Sequence, residues 1–212
     1  MILPETYALL PEQFVVYLAR HATPDRSRND IPYTIPPGPE LTSRGREEAA
    51  ELGAYLLAAG ARIVHASPLE RTLRTARIAA EIARAEVEVN NDLAEWRGDE
   101  VEKDVTERVL RAFGEAAVLS SSGRQPVVLV THGGPVLALL KALGVPTEAV
   151  DRCRIYDNRN PISPAGAWLV ERDGSNLRIA LVFTPTGYGL PSESNRRHLL
   201  TIDTEEVAIT AD

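Results

Sequence analysis

An α/β fold built on a mostly parallel sheet is predicted by two features of the chain. Short apolar runs of strand length alternate with longer stretches whose apolar residues recur at helical spacing. Glycine or proline marks most of the boundaries between them. Strands that alternate with helices pair in parallel and are covered on both faces.

The first strand, Val15-Val16-Tyr17-Leu18-Ala19, runs straight into Arg20-His21. A proline-dense loop follows from Ala22 to Glu40, with Pro24, Pro32, Pro36, Pro37 and Pro39 and the charged residues Asp25, Arg26, Arg28 and Asp30. Such a loop either shapes access to a site or is a plain surface connection. Thr42 can cap the next helix, Ala49, Leu52, Gly53 and Leu56 give it one buried face, and Gly60 ends it. A second strand covers Ile63-Val64-His65-Ala66. A helix from about Pro68 to Arg84 then has proline in its first turn and Leu69, Leu73, Ala76, Ala80 and Ala83 on one face. A third helix covers Val101 to Leu119, with Val105, Val109, Phe113 and Ala116 inward. Gly123 and Pro126 break the chain before the strand that starts at Val127. A fourth helix starts after Gly134 and stops near Gly144. Strands Gly166–Glu171 and Leu177–Phe183 are joined by the turn Asp173-Gly174-Ser175-Asn176. The whole reads as one domain with a core over 14–183. The tail, 184–212, is rich in Thr, Gly, Pro, Ser and acidic residues and reads as a partner arm or a loosely ordered end.

Composition narrows the function. The 212 residues are 44% hydrophobic and 25% charged, which suits one domain and would cramp two. A formal net charge of -7 argues against general binding to nucleic acid or anionic membranes. Basic groups that bind an anion must therefore be locally concentrated. The single cysteine, Cys153, excludes an internal disulfide framework, fits a reducing, cytoplasmic compartment, and reads best as a packed thiol. Met1 to Phe14 has no basic n-region and holds two prolines, so it does not read as a signal peptide, and no apolar run approaches a membrane span.

Ligands of open parallel sheets sit beyond the carboxyl ends of the strands. Arg20 and His21 close the first strand there. His132 closes the run Val127-Val128-Leu129-Val130-Thr131 and is followed by Gly133-Gly134. Arg71 lies in the first turns of the helix that leaves the second strand. An anion gripped by Arg20 and His21 explains the pair; a strand end that merely reaches solvent explains it too. His21 and His132 lack the pattern of metal ligands, because no third His, Cys or carboxylate follows at a helical ligand spacing such as H-E-x-x-H. His65 reads as structural, Arg74 as a surface contact and His198 as exposed.

Taken in order, these segments resemble the histidine phosphatase superfamily, also called the phosphoglycerate-mutase-like superfamily. The resemblance covers roughly residues 14 to 145. It rests on Arg20-His21 after an apolar strand and on Leu41-Thr42-Ser43-Arg44-Gly45 with Ala49, Leu52 and Gly53. It continues through Ser67-Pro68-Leu69 with Arg71, Thr75 and Ala76, then Leu93-x-Glu95, and Thr131-His132-Gly133. It implies a three-layer α/β/α sandwich around a mixed sheet.

It further implies a phosphomonoesterase that needs no metal or cofactor, because arginines neutralise the transferred phosphoryl group. His21 would attack and form a phosphohistidine, Glu95 would serve as acid and then base, and His132 would add a charge-assisted donor if protonated. Arg20, Arg71, Thr23 and the backbone at Gly133 would hold the phosphate. Asp99, Glu100 and Asp104 are the rival acids. The implied partner is a small-molecule phosphate ester, and the exposed tail and apolar edge strands permit a homodimer.

Three departures from the family matter. Ala22 stands where glycine is common. Glu95 is followed by Trp96-Arg97-Gly98 rather than a Glu-Arg-Arg-Tyr-like run, and Ser27 stands six past His21 where the mutase branch has Asn. The last two argue for a phosphatase over a phosphoglycerate mutase. A phosphoprotein (phosphohistidine) phosphatase and a non-catalytic phosphate-binding protein are the remaining readings. Specificity would come from the Ala22–Glu40 loop, the segment around Trp96-Arg97 and residues Arg152 to Arg159, none of which spells out a substrate.

Overall fold

Strand β1 (Gln13–Arg20) sends Phe14, Val16 and Leu18 to one side and Tyr17 and Ala19 to the other, and all five are buried. A strand that is apolar on both faces must lie inside a sheet covered twice, and that is where it sits. The computed structural model describes residues 9–28, 30–189 and 201–203.

The other strands are β2 (Ile63–Ala66), β3 (Glu86–Val89), β4 (Val127–Thr131), β5 (Ala167–Asp173), β6 (Asn176–Phe183) and β7 (Thr201–Asp203). They form one sheet in the order β3-β2-β4-β1-β5-β6-β7. β3, β2, β4 and β1 run parallel, and β5, β6 and β7 extend the sheet antiparallel from β1. Helices α1 (Ser43–Ala58) and α2 (Glu70–Ala83) cover one face, where Leu52, Leu56, Ala76 and Ala80 meet Val64, Val128 and Ala19. Helices α3 (Glu102–Gly123), α4 (Gly133–Ala142) and α5 (Thr147–Arg152) cover the other, where Phe113, Leu140 and Val150 meet Val16, Leu129 and Trp168. This is the three-layer α/β/α sandwich with a mixed, mostly parallel sheet.

Local chemistry accounts for the ends of the elements. The Thr42 hydroxyl accepts from Gly45 N at 2.9 Å as the N-cap of α1, and Gly60 takes φ +76° just beyond it. The turn Asp173-Gly174-Ser175-Asn176 joins β5 to β6, with Gly174 at φ +61°. Helix α3 runs four residues past the expected Leu119, because the serines continue it: Ser122 bonds back to Leu119 O at 3.1 Å, and the Ser120 hydroxyl accepts from Val15 N at 2.9 Å.

Three elements lay outside the sequence-based expectation. β3 reads Glu-Val-Glu-Val, and it is its parallel pairing to β2 that makes it a strand. α5 has only six residues, too few to show a period. In the tail, β7 pairs with β6, and residues 184–189 pack against the body of the domain: Thr186 N donates to Glu51 at 2.6 Å and the Tyr156 hydroxyl to Gly189 O at 2.8 Å. The rest of the tail, with His198, lies outside the described residues. Among the described residues, no helix is long and apolar enough to cross a membrane.

Helices α1 and α2 cross closely at Gly53. A Cβ there would stand 2.8 Å from Ala79 O and 2.9 Å from Ala79 Cα, both backbone atoms that cannot swing aside. Gly53→Ala is therefore expected to destabilise the protein by about 1–3 kcal/mol, although alanine is the better helix former by about 1 kcal/mol. Urea denaturation of the two proteins checks this; a gain in stability would show that the helices can separate freely.

Candidate active site

Three adjacent parallel strands end at one level. Arg20 pairs with Thr131 across β1 and β4, and Ala66 with Val130 across β2 and β4. The next residue on each strand is His21, His132 or Ser67, so the topology alone sets these side by side. His21 N bonds to Thr131 O at 2.9 Å and Ser67 N to Val130 O at 3.0 Å, which carries the ladder one step past the strand ends. The imidazole centroids of His21 and His132 are 5.2 Å apart, and both rings are buried.

The hydrogen bonds decide the tautomers. His21 Nδ1 is 2.8 Å from Ala22 O. A carbonyl only accepts, so Nδ1 carries the proton and Nε2 keeps its lone pair. His132 Nδ1 is 3.0 Å from Arg71 Nη2, which only donates, so on that ring the proton sits on Nε2 and goes to the Ser67 hydroxyl at 2.8 Å. A ring nitrogen that accepts makes His132 neutral, while for His21 burial sets the charge. Burial holds the pKa of His21 well below 6.5, with the charges of Arg20 and Arg71 adding to it. Burial does the same for His132, with His21 and Arg71 next in weight. The condition set on His132 is thus not met without a bound anion, where the ring accepts from Arg71.

Two guanidiniums flank the rings. Arg20 forks onto Asp157, with Nη1 at 2.6 Å and Nη2 at 2.8 Å, and Nη1 also reaches Ile162 O at 3.1 Å. Burial opposes ionisation of Asp157, but the fork outweighs it and holds this carboxyl below the usual range. Arg71 donates to Tyr33 O at 2.7 Å, stacks 4.1 Å from the Tyr33 centroid, and reaches Glu95 Oε2 at 3.4 Å. The Nε atoms of both arginines are buried without a hydrogen-bond partner. Two unpaired cationic N–H donors at one mouth are the feature an oxyanion would satisfy.

Glu95 joins this group from the loop after β3. Its Oε2 is 3.4 Å from His132 Nδ1, its Oε1 accepts from Trp96 N at 3.0 Å, and the side chain is 16% exposed. The structure thus brings together Arg20, His21, Arg71, Glu95 and His132, with Gly133 opening α4 next to His132. The rival acids point elsewhere: Glu100 pairs with Arg108 at 2.8 Å, Asp104 caps α3 by accepting from Val101 N at 3.0 Å, and Asp99 is exposed beside Arg97. His21, Glu95 and His132 offer ligand atoms within 4.8 Å of one another. The spacing argument against metal ligation therefore misses a carboxylate that arrives by tertiary folding. The adjacent guanidiniums make the place better suited to an anion than to a cation.

Other residues stand in supporting positions. Thr23 donates its backbone N–H at 2.8 Å and its hydroxyl at 3.0 Å to the buried Glu48, so that hydroxyl hydrogen is already committed. Glu48 also accepts from Arg44 at 3.2 Å and from Tyr188 at 3.0 Å. Arg108 donates to Asp92 O at 2.8 Å, Ala94 O at 2.7 Å and Glu95 O at 3.2 Å, which fixes the loop that carries Glu95. His65 is buried away from these bonds, 3.7 Å from Glu88, and Arg74 is exposed. Asp157, Tyr33, Glu48 and Arg108 escaped the sequence reading. Glu48 and Arg108 had a visible signal, since each is a charge next to the apolar stripe of its helix.

Residues 16–104 match the model of the histidine phosphatase superfamily (branch 1), a span that holds Arg20, His21, Arg71 and Glu95 but stops short of His132. Solved structures share the fold. Bacillus stearothermophilus YhfR is 20% identical, with 81% of this chain and 98% of that one covered and a TM-score of 0.63. A mycobacterial glucosyl-3-phosphoglycerate phosphatase in complex with VO3 is 20% identical, with 82% and 100% covered and a TM-score of 0.61. A phosphoglycerate mutase from Bacillus anthracis is 14% identical, with 79% and 92% covered and a TM-score of 0.60. No curated protein sequence matches the chain significantly. The matched span is under half of the chain and carries the first four of these residues, and the solved structures share the fold.

Neutral buried histidines tie stability to pH with a definite sign. The unfolded chain takes up protons on His21 and His132 near 6.5, whereas the folded chain does so only well below that value. Their contribution is complete above the unfolded value and is lost as pH falls through it toward the folded ones. The slope is up to about 1.4 kcal/mol per pH unit for each histidine. Urea midpoints between pH 7.5 and 5 should fall for the wild type and fall less steeply for His21→Ala. Parallel curves would mean that His21 is not held neutral by the fold.

Proposed function

We propose that this protein hydrolyses phosphate monoesters of small metabolites without a metal ion, passing the phosphoryl group through Nε2 of His21. The observation that carries this reading is the tautomer of His21. Its Nδ1–H is anchored on Ala22 O, its ring is buried and uncharged, and the remaining lone pair stands at a mouth flanked by Arg20 and Arg71. A nucleophile needs that lone pair, and a phosphate dianion needs those charges. The complex of a phosphatase of the same fold with VO3, an oxyanion, supports it.

The steps follow. The phosphate enters with its oxygens on Arg20, Arg71 and the N-terminal end of α4, and its negative charge offsets the burial and the neighbouring cations that keep His132 neutral, so that His132 becomes a donor. His21 Nε2 forms a bond to phosphorus as the ester oxygen leaves in line. The carboxyl of Glu95 gives that oxygen a proton. Water then attacks the phosphohistidine, Glu95 takes a proton from it, and the P–N bond breaks to release phosphate and restore His21. Arg97 is already engaged by Glu100 at 3.1 Å and Asp99 at 3.7 Å. What favours hydrolysis over phosphoryl return is the departure from the mutase pattern at Trp96-Arg97-Gly98 and at Ser27.

Phosphate release from a panel of monoesters in EDTA is expected for the wild type and absent for His21→Ala. Acid-labile label from a phospho-donor should appear only in the wild type. Activity that needs added metal or survives without His21 would overturn the mechanism. Glu95→Gln should slow turnover of alkyl phosphates by about 10²–10⁴-fold. The same variant should slow p-nitrophenyl phosphate much less, since that leaving group departs without a proton. Equal losses on both would remove Glu95 from the role of acid.

A further inference from the structure

The cations of the mouth do not all have a counter-charge. Arg20 is answered by Asp157 at 2.6 Å, Arg71 by Glu95 at 3.4 Å, Arg97 by Glu100 at 3.1 Å, and Arg28, in the proline-rich loop, by Asp30 at 2.7 Å. Arg26 is the exception: among the described residues no carboxylate lies within ion-pair distance of it. Its neighbour Asp25 is turned to Ser27, accepting from the Ser27 N–H at 2.9 Å and hydroxyl at 2.6 Å.

Arg26 is nevertheless held in place. Its guanidinium carbon is 4.8 Å from the Tyr33 centroid, and its Nη2 donates to the Tyr33 hydroxyl at 3.1 Å. The same ring carries Arg71 at 4.1 Å, so one tyrosine spaces an exposed guanidinium from a buried one that flanks His132. The base of the loop is pinned as well, by Asp25 N to Glu40 O at 2.7 Å, Thr42 N to Thr23 O at 3.1 Å and the bridge between Pro24 and Leu41. The field of Arg26 reaches the reacting groups. After burial and the two buried arginines, it is a further charge holding His21 neutral, and it also helps to keep Asp157 ionised.

We propose that Arg26, set by Tyr33, is an anion subsite that grips a second negatively charged group, carboxylate or phosphate, on the leaving-group side of the substrate. The preferred substrates are then phosphate monoesters with a further anion a few bonds from the ester oxygen. An exposed arginine usually gives up rotamer freedom when it binds, and one already stacked and hydrogen-bonded gives up less. This inference rests on the reading of Arg20, Arg71 and His21 as the phosphate site.

Three probes on one carbon skeleton test it: propyl phosphate, 3-(phosphonooxy)propanoate and propane-1,3-diyl bisphosphate. They end in a methyl, a carboxylate and a second phosphate. Turnover by the wild type and Arg26→Gln is measured alongside calorimetric binding to His21→Ala and His21→Ala/Arg26→Gln. The wild type is expected to favour one or both of the probes that carry a second anion over propyl phosphate in kcat/KM by about tenfold, the scale of one charge-assisted contact. The larger ratio identifies whether the second anion is a carboxylate or a phosphate. In Arg26→Gln the ratio should fall to near one. Turnover without discrimination, or a ratio unchanged in Arg26→Gln, overturns the subsite and leaves the phosphatase reading standing. Discriminating binding without turnover does the reverse. If no probe binds or turns over, both are overturned.

Discussion

Two uncharged imidazoles buried beside fixed guanidinium charges are the constraint around which the site is built. Protonating either ring would place a third cation, out of water, against Arg71 and Arg20. The fold avoids this by giving each ring nitrogen a fixed task. Ala22 O takes the Nδ1 proton of His21, the Ser67 hydroxyl takes the Nε2 proton of His132, and Arg71 occupies the other nitrogen of His132. The two arginines are in turn partly neutralised by Asp157 and Glu95, while their buried Nε atoms stay unpaired. What the centre leaves open is therefore the pair of unbonded Nε–H donors, while nearly every other group is internally satisfied.

Keeping such a centre rigid falls to two buried charges that touch none of the reacting groups with their own side chains. Glu48 gathers Thr23, Arg44 and Tyr188, which ties the loop after β1 to α1 and to the segment after β6. Arg108 threads three carbonyls of the loop from Asp92 to Glu95 and seals it with Glu100. Both charges are fully hydrogen-bonded, which is the condition for burying them at tolerable cost. These two loops are thus fastened to helices of the scaffold instead of relying on their own conformational preferences.

Much of this was legible in the chain. Strands that are apolar on both faces, such as Val15–Ala19 and Val127–Val130, admit no environment but a covered sheet, and helices with a named cap and a clear stripe left little freedom in α1 and α2. His21, His132 and Arg71 were locatable because strand ends and helix starts are points that topology brings together. Asp157 and Tyr33 were not, since their partners lie 137 and 38 residues away and loop residues carry no period. β3 was hidden because four alternating residues gain their identity from a neighbour. The protonation of His132 stayed open for a related reason: it depends on Arg71 Nη2, a contact that no local pattern records.

The placement of β1 at the middle of the sheet has a consequence for biosynthesis. Its partners are Val127–Thr131 on one side and Ala167–Asp173 on the other, so the earliest of the described strands waits for partners from the second half of the chain. At about 5–20 residues per second, some 5–20 s separate the emergence of β1 from that of β4. Through that interval the apolar run Val15–Ala19 has both edges open. Closing it is a long-range step that no local hairpin can replace, so the β5–β6 hairpin forms quickly but cannot set the pace. The order of the strands thus makes the nascent chain most vulnerable to association in its first half, and that is the stage at which a chaperone would have the most to protect.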